Sequence, residues 1–173
     1  MRTTTTVPLH APGAIGVQHH LTFYKYSPTN NSDEVHPRAY IQASLHADEL
    51  PGLLVSHHLI RLLDAAAKEG RIAKEIVIAP YANPIGLSQN MLGNHIGRYS
   101  LMSGVNFNRD WIDIGKSVIE RVKEEGIDQL DPSDNAKNVQ VFRKAMMREI
   151  DALESNPSSK LEVTMKRELF KQV

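Results

Sequence analysis

Apolar and polar positions change their spacing several times along the chain, and each change marks an expected element. Residues 16–26 place Val17, Leu21, Phe23, Tyr24 and Tyr26 in a stretch that favours a strand, and residues 38–45 do the same with Tyr40, Ile41, Ala43 and Leu45. The segment between them, rich in Ser, Pro, Asn and Asp, carries turn chemistry. From residue 49 to 68 the spacing becomes helical. Leu50, Leu53, Leu54 and Ile60 form one stripe, and Val55, Leu59, Leu62, Leu63 and Ala66 form another. Apolar residues on nearly every side predict a largely buried helix. Asp48 can cap its start, Pro51 fits the first turn, and Gly70 can end it. Residues 76–80, Ile-Val-Ile-Ala-Pro, read as a strand covered on both faces. Strand, helix and strand in that order imply a right-handed crossover between parallel strands. The expected fold class is α/β: a mixed, mainly parallel sheet flanked by helices, with this unit at its centre.

Residues 83–112 show little periodicity, with Gly86, Gly93, Gly97 and Gly104 spread through them. A connection this long inside a compact domain is often functional. Helical spacing returns near 113–125, from about 136 to 153, and from about 159 to the end, with Asn156 and Pro157 dividing the last two. Residues 1–12 read as a flexible or edge segment ahead of a domain over 13–173.

Charge narrows the functional classes. Twenty Lys and Arg balance twenty Asp and Glu, so no general electrostatic pull on nucleic acid or an anionic membrane is expected. No stretch approaches a membrane span, and residues 1–12 lack the apolar run of a signal peptide. The expectation is a cytoplasmic protein. The sequence has no cysteine, which excludes disulfides and thiolate ligands. Any metal must be held by His, Asp or Glu.

His46 and Glu49 form an H-x-x-E pair where the second strand turns into the helix. Strand ends in α/β sheets are common ligand sites, and an imidazole nitrogen and a carboxylate oxygen suit one zinc ion. A cap region with a solvated Glu49 satisfies the same pattern. The surrounding motifs add to it. Downstream stand Asn83-Pro84-Ile85-Gly86, then Arg98-Tyr99, then Asn106-Phe107-Asn108-Arg109-Asp110. In this order they resemble the zinc carboxypeptidase superfamily, and within it the succinylglutamate desuccinylase/aspartoacylase branch, over roughly residues 40–111. The resemblance implies Zn²⁺ as cofactor with His46 and Glu49 as its first two ligands. It implies that Asn108 and Arg109 hold a substrate carboxylate and that Arg98 stabilises the oxyanion. The interval from Arg98 to Asn108 is longer than that branch shows. Local pairing of Arg109 with Asp110, and a solvated Arg98, are the plain alternatives.

The resemblance also implies a third zinc ligand, a histidine in an Asp-Leu-His context, and a distal general-base glutamate. Neither context occurs in this sequence. His57 and His58 lie about 12 Å along the helix from Glu49 at 1.5 Å per residue, and packing or an interior hydrogen bond is the simpler role for both. His95, in the long loop, can approach the site, but its spacing does not require it. The expectation is the N-terminal portion of a zinc amidohydrolase that cleaves beside a free carboxylate in an N-acyl amino acid or short peptide. The other reading is a non-catalytic zinc- or carboxylate-binding domain.

Overall fold

The computed structural model describes residues 1–10, 16–29, 38–111, 113–125, 130–152 and 160–173. The turn expected over 27–37 lies largely outside them, and the Asn156–Pro157 break entirely so. The chain divides into two compact units, Met1–Asp110 with Lys160–Val173, and Trp111–Ser159.

The first unit is built on a four-stranded sheet. Its strands are β1 (Arg2–Pro8), β2 (His20–Tyr26), β3 (Arg38–Gln42) and β4 (Glu75–Ala79), in the order β1-β2-β4-β3. Helix α1 (Leu50–Lys68) connects β3 to β4. Those two strands pair in parallel, with Ile41 opposite Ile78, as the strand–helix–strand order implies. The sheet is not mainly parallel, however: β1 with β2 and β2 with β4 are both antiparallel. Periodicity reports which face a residue occupies but not the strand's direction; only the crossover helix carried a directional signal. The crossover unit is not central either, because β3 is an edge strand. Arg2–Pro8, expected to be flexible or an edge, is the opposite edge strand. Its threonines alternate no apolar residues with polar ones, so period-2 contrast is absent there.

Helix α1 packs on the sheet through Leu59, Ile60, Leu63, Ala66 and Ala67, which meet the buried Tyr26, Ile72 and Ile78. Neither stripe is buried throughout as expected: Leu50 and Leu54 of the first and Val55 and Leu62 of the second are exposed. Within α1, Ser56 alone is fully buried. Its hydroxyl donates to the Gly52 carbonyl at 2.7 Å, satisfied inside the helix itself. Glu49, not Asp48, is the N-cap residue, and its side chain makes no cap bond because it is engaged elsewhere.

Beyond β4 come the short helix α2 (Pro84–Leu87) and a two-stranded ribbon, β5 (Asn90–Met91) with β6 (Asn94–His95). The second unit holds α3 (Ile114–Glu125) and α4 (Asn135–Ala152). They join through Val118, Val122 and Ala145, flanked by Ile114, Val141 and Met146. Helix α5 (Leu161–Phe170) belongs to the first unit, with Leu161, Met165 and Leu169 buried. No helix of the described residues is long and apolar enough to cross a membrane.

One tie fastens α1 to the far side of the sheet. The fully buried Tyr26 hydroxyl is shared between Asp64 Oδ1 at 2.9 Å and the Ile60 carbonyl at 3.2 Å, and Arg2 grips the same carboxylate. Burial first, then the bond to Asp64, pushes the phenol up from 10.0 to about 12. A raised phenol pKa favours the protonated folded state. The stabilisation is therefore complete below pH 10 and lost as pH rises from 10 to about 12. Alkaline unfolding should show a final step in that window. Tyr26→Phe should remove the step and lower stability by about 0.5–1.5 kcal/mol at neutral pH, read from denaturant midpoints.

Candidate functional site

The site begins where β3 ends. Pairing with the β4 side continues past the strand, since Ala43 N–H donates to the Ala79 carbonyl at 3.0 Å and Ala82 N–H to the Ala43 carbonyl at 2.9 Å. The chain then leaves the sheet at Ser44, whose φ is 57°. Asn83 fixes the next step. Fully buried, it accepts from Gly86 N–H at 2.8 Å as the cap of α2, and its Nδ2 donates to the Leu45 carbonyl at 2.9 Å. Pro84 follows in the first turn of α2, where no N–H is needed. The Asn-Pro turn thus ties the loop after β4 to the residue before His46.

A second tie is steric. Ala47 N–H donates to the Gly97 carbonyl at 2.9 Å. A Cβ on Gly97 would lie 2.2 Å from the Asp48 nitrogen and 2.7 Å from the Ala47 carbonyl carbon. Only glycine lets this backbone approach so closely, and the approach brings Arg98 beside His46.

The long interval after Arg98 is a fold-back. Ser100 N–H donates to the Val105 carbonyl, Phe107 N–H to the Arg98 carbonyl, and Tyr99 bridges Asn106. Phe107 is completely buried and anchors the return. The extra residues form the turn of this excursion, so Arg98 and Asn106 end up adjacent and both reach His46.

His46 is 7% exposed. Its Nε2 lies 2.8 Å from Asn106 Oδ1, and that same oxygen accepts from Asn108 N–H at 2.9 Å. The shared backbone donor fixes which end of the amide faces the ring, so Nε2 carries the proton and donates. The other ring nitrogen, Nδ1, faces the charged side of the site. It sits 3.2 Å from Glu49 Oε1 and 2.8 Å from Arg98 Nη1. Arg98 Nη2 donates to Glu49 Oε1, and Arg98 Nε lies 3.7 Å from Asp48 Oδ2. The Arg98 bond, then that of His46, holds the Glu49 carboxyl below its ordinary value. An imidazole nitrogen and a carboxylate oxygen are thus neighbours, while Arg98 Nη1, also 3.5 Å from Nε2, lies against the ring rather than beyond Nδ1. This donor set fits a borderline-soft divalent ion in kind, and the outer bond to Asn106 orients the ring as ligand histidines usually require.

Those two residues would supply only half of a tetrahedral shell. Among the described residues no group of three or more His, Asp or Glu is arranged to hold a metal. His95 turns its Nε2 to the Gly86 carbonyl at 3.0 Å. His57 and His58 are exposed on α1, with ring centroids 6.0 Å apart, rather than packed inside. A groove of about 710 Å³ opens from the site along β3 and α1, lined by Ile41, Ser44, His46, Glu49, Val55 and Asn108 among others. Arg109 is exposed, is not among the groove's lining residues, and donates to the Asn108 carbonyl at 2.8 Å.

Sequence reading missed Asn106, Asn83 and Gly97 as site residues. All three lie within or beside motifs quoted for the resemblance, but their roles depend on contacts across more than 35 positions. It also missed α5 as a brace: Ser103 Oγ donates to the buried Glu162, and the buried Lys166 donates to the Arg109 carbonyl.

The sequence profile of the succinylglutamate desuccinylase/aspartoacylase catalytic domain matches residues 35–144. The chain belongs to this family. The family is of the amide-hydrolase type. Two solved structures share the fold. A protein from Shewanella frigidimarina NCIMB 400, classed as a succinylglutamate desuccinylase/aspartoacylase, superposes with a TM-score of 0.77 at 24% identity. The match covers 97% of this chain and 42% of that one. A family protein from Shewanella amazonensis SB2B gives a TM-score of 0.75 at 25% identity, over 98% of this chain and 44% of that one. This family chain thus spans less than half the length of either neighbour. No curated protein matches.

Gly97→Ala tests the steric tie. The added methyl meets backbone at 2.2 Å, and backbone cannot rotate aside as a side chain can. The variant should lose about 1–3 kcal/mol of stability, and amide shifts should move at both Ala47 and Arg98.

Proposed function

We propose that this chain is the N-terminal portion of a zinc-dependent hydrolase that cleaves an amide bond beside a free carboxylate, in an N-acyl amino acid or a short peptide. The observation that carries this reading is the convergence of His46 Nδ1 and Glu49 Oε1, 3.2 Å apart, at a strand end facing a groove. His46 and Glu49 would hold the zinc, which supplies Lewis acidity when bound. Asn106 keeps the His46 ring turned with Nδ1 toward the metal position. Arg98 is placed to donate to an oxygen that gains negative charge, an interaction most valuable in the transition state. Asn108 lines the groove and can donate to a substrate carboxylate. Arg109 follows it and can add a bidentate grip once it leaves the Asn108 carbonyl. The share of each neighbour that this chain spans, 42% and 44%, supports the portion reading.

Zinc calorimetry and turnover assays test this together. The 173-residue chain should bind zinc weakly, His46→Ala and Glu49→Ala should abolish that binding, and the chain alone should not turn over N-acetylaspartate, N-succinylglutamate or short peptides. A protein extended to the span of its structural neighbours should bind zinc tightly and be active, and Arg98→Ala in it should lower kcat about 10²–10³-fold. Zinc binding that survives His46→Ala would refute the metal assignment. Tight zinc and turnover from the short chain would refute the portion reading, and zinc binding without turnover in the extended protein would favour a binding domain.

A further inference from the structure

The fold-back that carries Arg98, Asn106 and Asn108 is held from outside by two charged residues of α5. Glu162 and Lys166 stand one turn apart on that helix, and both are buried. Side chains four apart on a helix face the same side, and an acid followed by a lysine would pair across an open surface. Here they also reach two different points of the fold-back. Ser103, at its tip, donates its hydroxyl to Glu162 Oε1, and the same hydroxyl accepts from Val105 N–H at 3.4 Å. Lys166 Nζ donates to the Arg109 carbonyl at its foot. A buried charge is costly without fixed partners, and these partners belong to the loop.

The foot is where this brace bears on the site. Arg109 N–H donates to the Asn106 carbonyl at 3.1 Å and Asn108 N–H to Asn106 Oδ1 at 2.9 Å, which closes residues 106–109 into one turn. Asn106 Oδ1 lies 2.8 Å from His46 Nε2. The residue after the turn, Asp110, has a φ of 54°, a left-handed conformation that a side chain disfavours. Lys166 grips the carbonyl of the peptide that enters Asp110, and the Asp110 and Glu162 carboxylates oppose the downward push of burial on its ammonium. Backbone of this kind persists only where its surroundings hold it.

We propose that Glu162 and Lys166 are positioning residues: from one face of α5 they hold the fold-back at tip and foot, and so keep the Asn106 carboxamide against the His46 ring. The bracing needs no metal, so its test stands apart from that of the proposed hydrolase.

Exchange of single amide protons with water, read by NMR on the 173-residue chain, tests it. Lys166→Met should speed exchange of Asn108 N–H about tenfold and shift the His46 Nε2 resonance. Ala47 N–H, held by Gly97, and the amides of β2 inside the sheet should keep their rates. Lys166→Arg, which keeps a donor of similar reach, should restore most of the protection. Ser103→Ala, a milder change at the partly exposed tip, should act in the same direction and more weakly. Should Lys166→Met fail to fold, the same contrast within Ser103→Ala decides. One common acceleration of all these amides would show a merely structural role and overturn the proposal. Unchanged Asn108 exchange and an unchanged His46 resonance in the folded variants would show that burial of Phe107 alone holds the turn, and would overturn it as well.

Discussion

Everything at this site depends on how closely two pieces of backbone approach. The Gly97 carbonyl accepts the Ala47 N–H, and the missing side chain of Gly97 leaves room for the Ala47–Asp48 peptide. Asn83 adds the second fixed point by holding the Leu45 carbonyl one residue before His46. Between them these contacts set the path of residues 45–48, which no sheet bond reaches. Side-chain chemistry then follows from short range. His46 is turned by Asn106, and Glu49 is drawn in by Arg98. The buried amide of Asn83 makes both of its bonds with neighbouring backbone, so it costs little to bury.

The electrostatics are local. The whole chain carries no net charge, yet Asp48, Glu49, His46 and Arg98 meet at one strand end. Their charges offset one another there, and the partial exposure of Glu49 and Arg98 keeps the pairing modest in strength. Ser44 is a further strained point beside it: its φ is positive, and its buried hydroxyl has no hydrogen-bond partner. It lines the groove next to His46, where backbone strain is most often tolerated.

Much of the architecture was legible in the sequence. The strand–helix–strand unit, the placement of His46 and Glu49 at its first corner, and the three later helices all followed from spacing and turn chemistry. Strand direction was not legible, because an apolar alternation reads the same in both senses. Burial of α1 was misread for a related reason. Leu50, Leu54, Val55 and Leu62 count as apolar wherever they point, and the sheet of the first unit covers only one side of the helix. At the site, residue types were readable but distances were not. The interval between Arg98 and Asn108 is longer than the resembled branch shows, and only the structure reveals the Tyr99–Asn106 bridge that folds it back. Asn106 itself carried no independent signal, since its role exists only in relation to a histidine sixty positions earlier.

The central proposal is that His46 offers Nδ1 to zinc while Asn106 holds the proton on Nε2. Long-range ¹H–¹⁵N correlation of the His46 ring, recorded at neutral pH during a zinc titration, tests it directly. The account predicts a protonated Nε2 throughout and a zinc-induced shift centred on Nδ1. A ring without a proton on Nε2, or a zinc shift centred on Nε2, would contradict it.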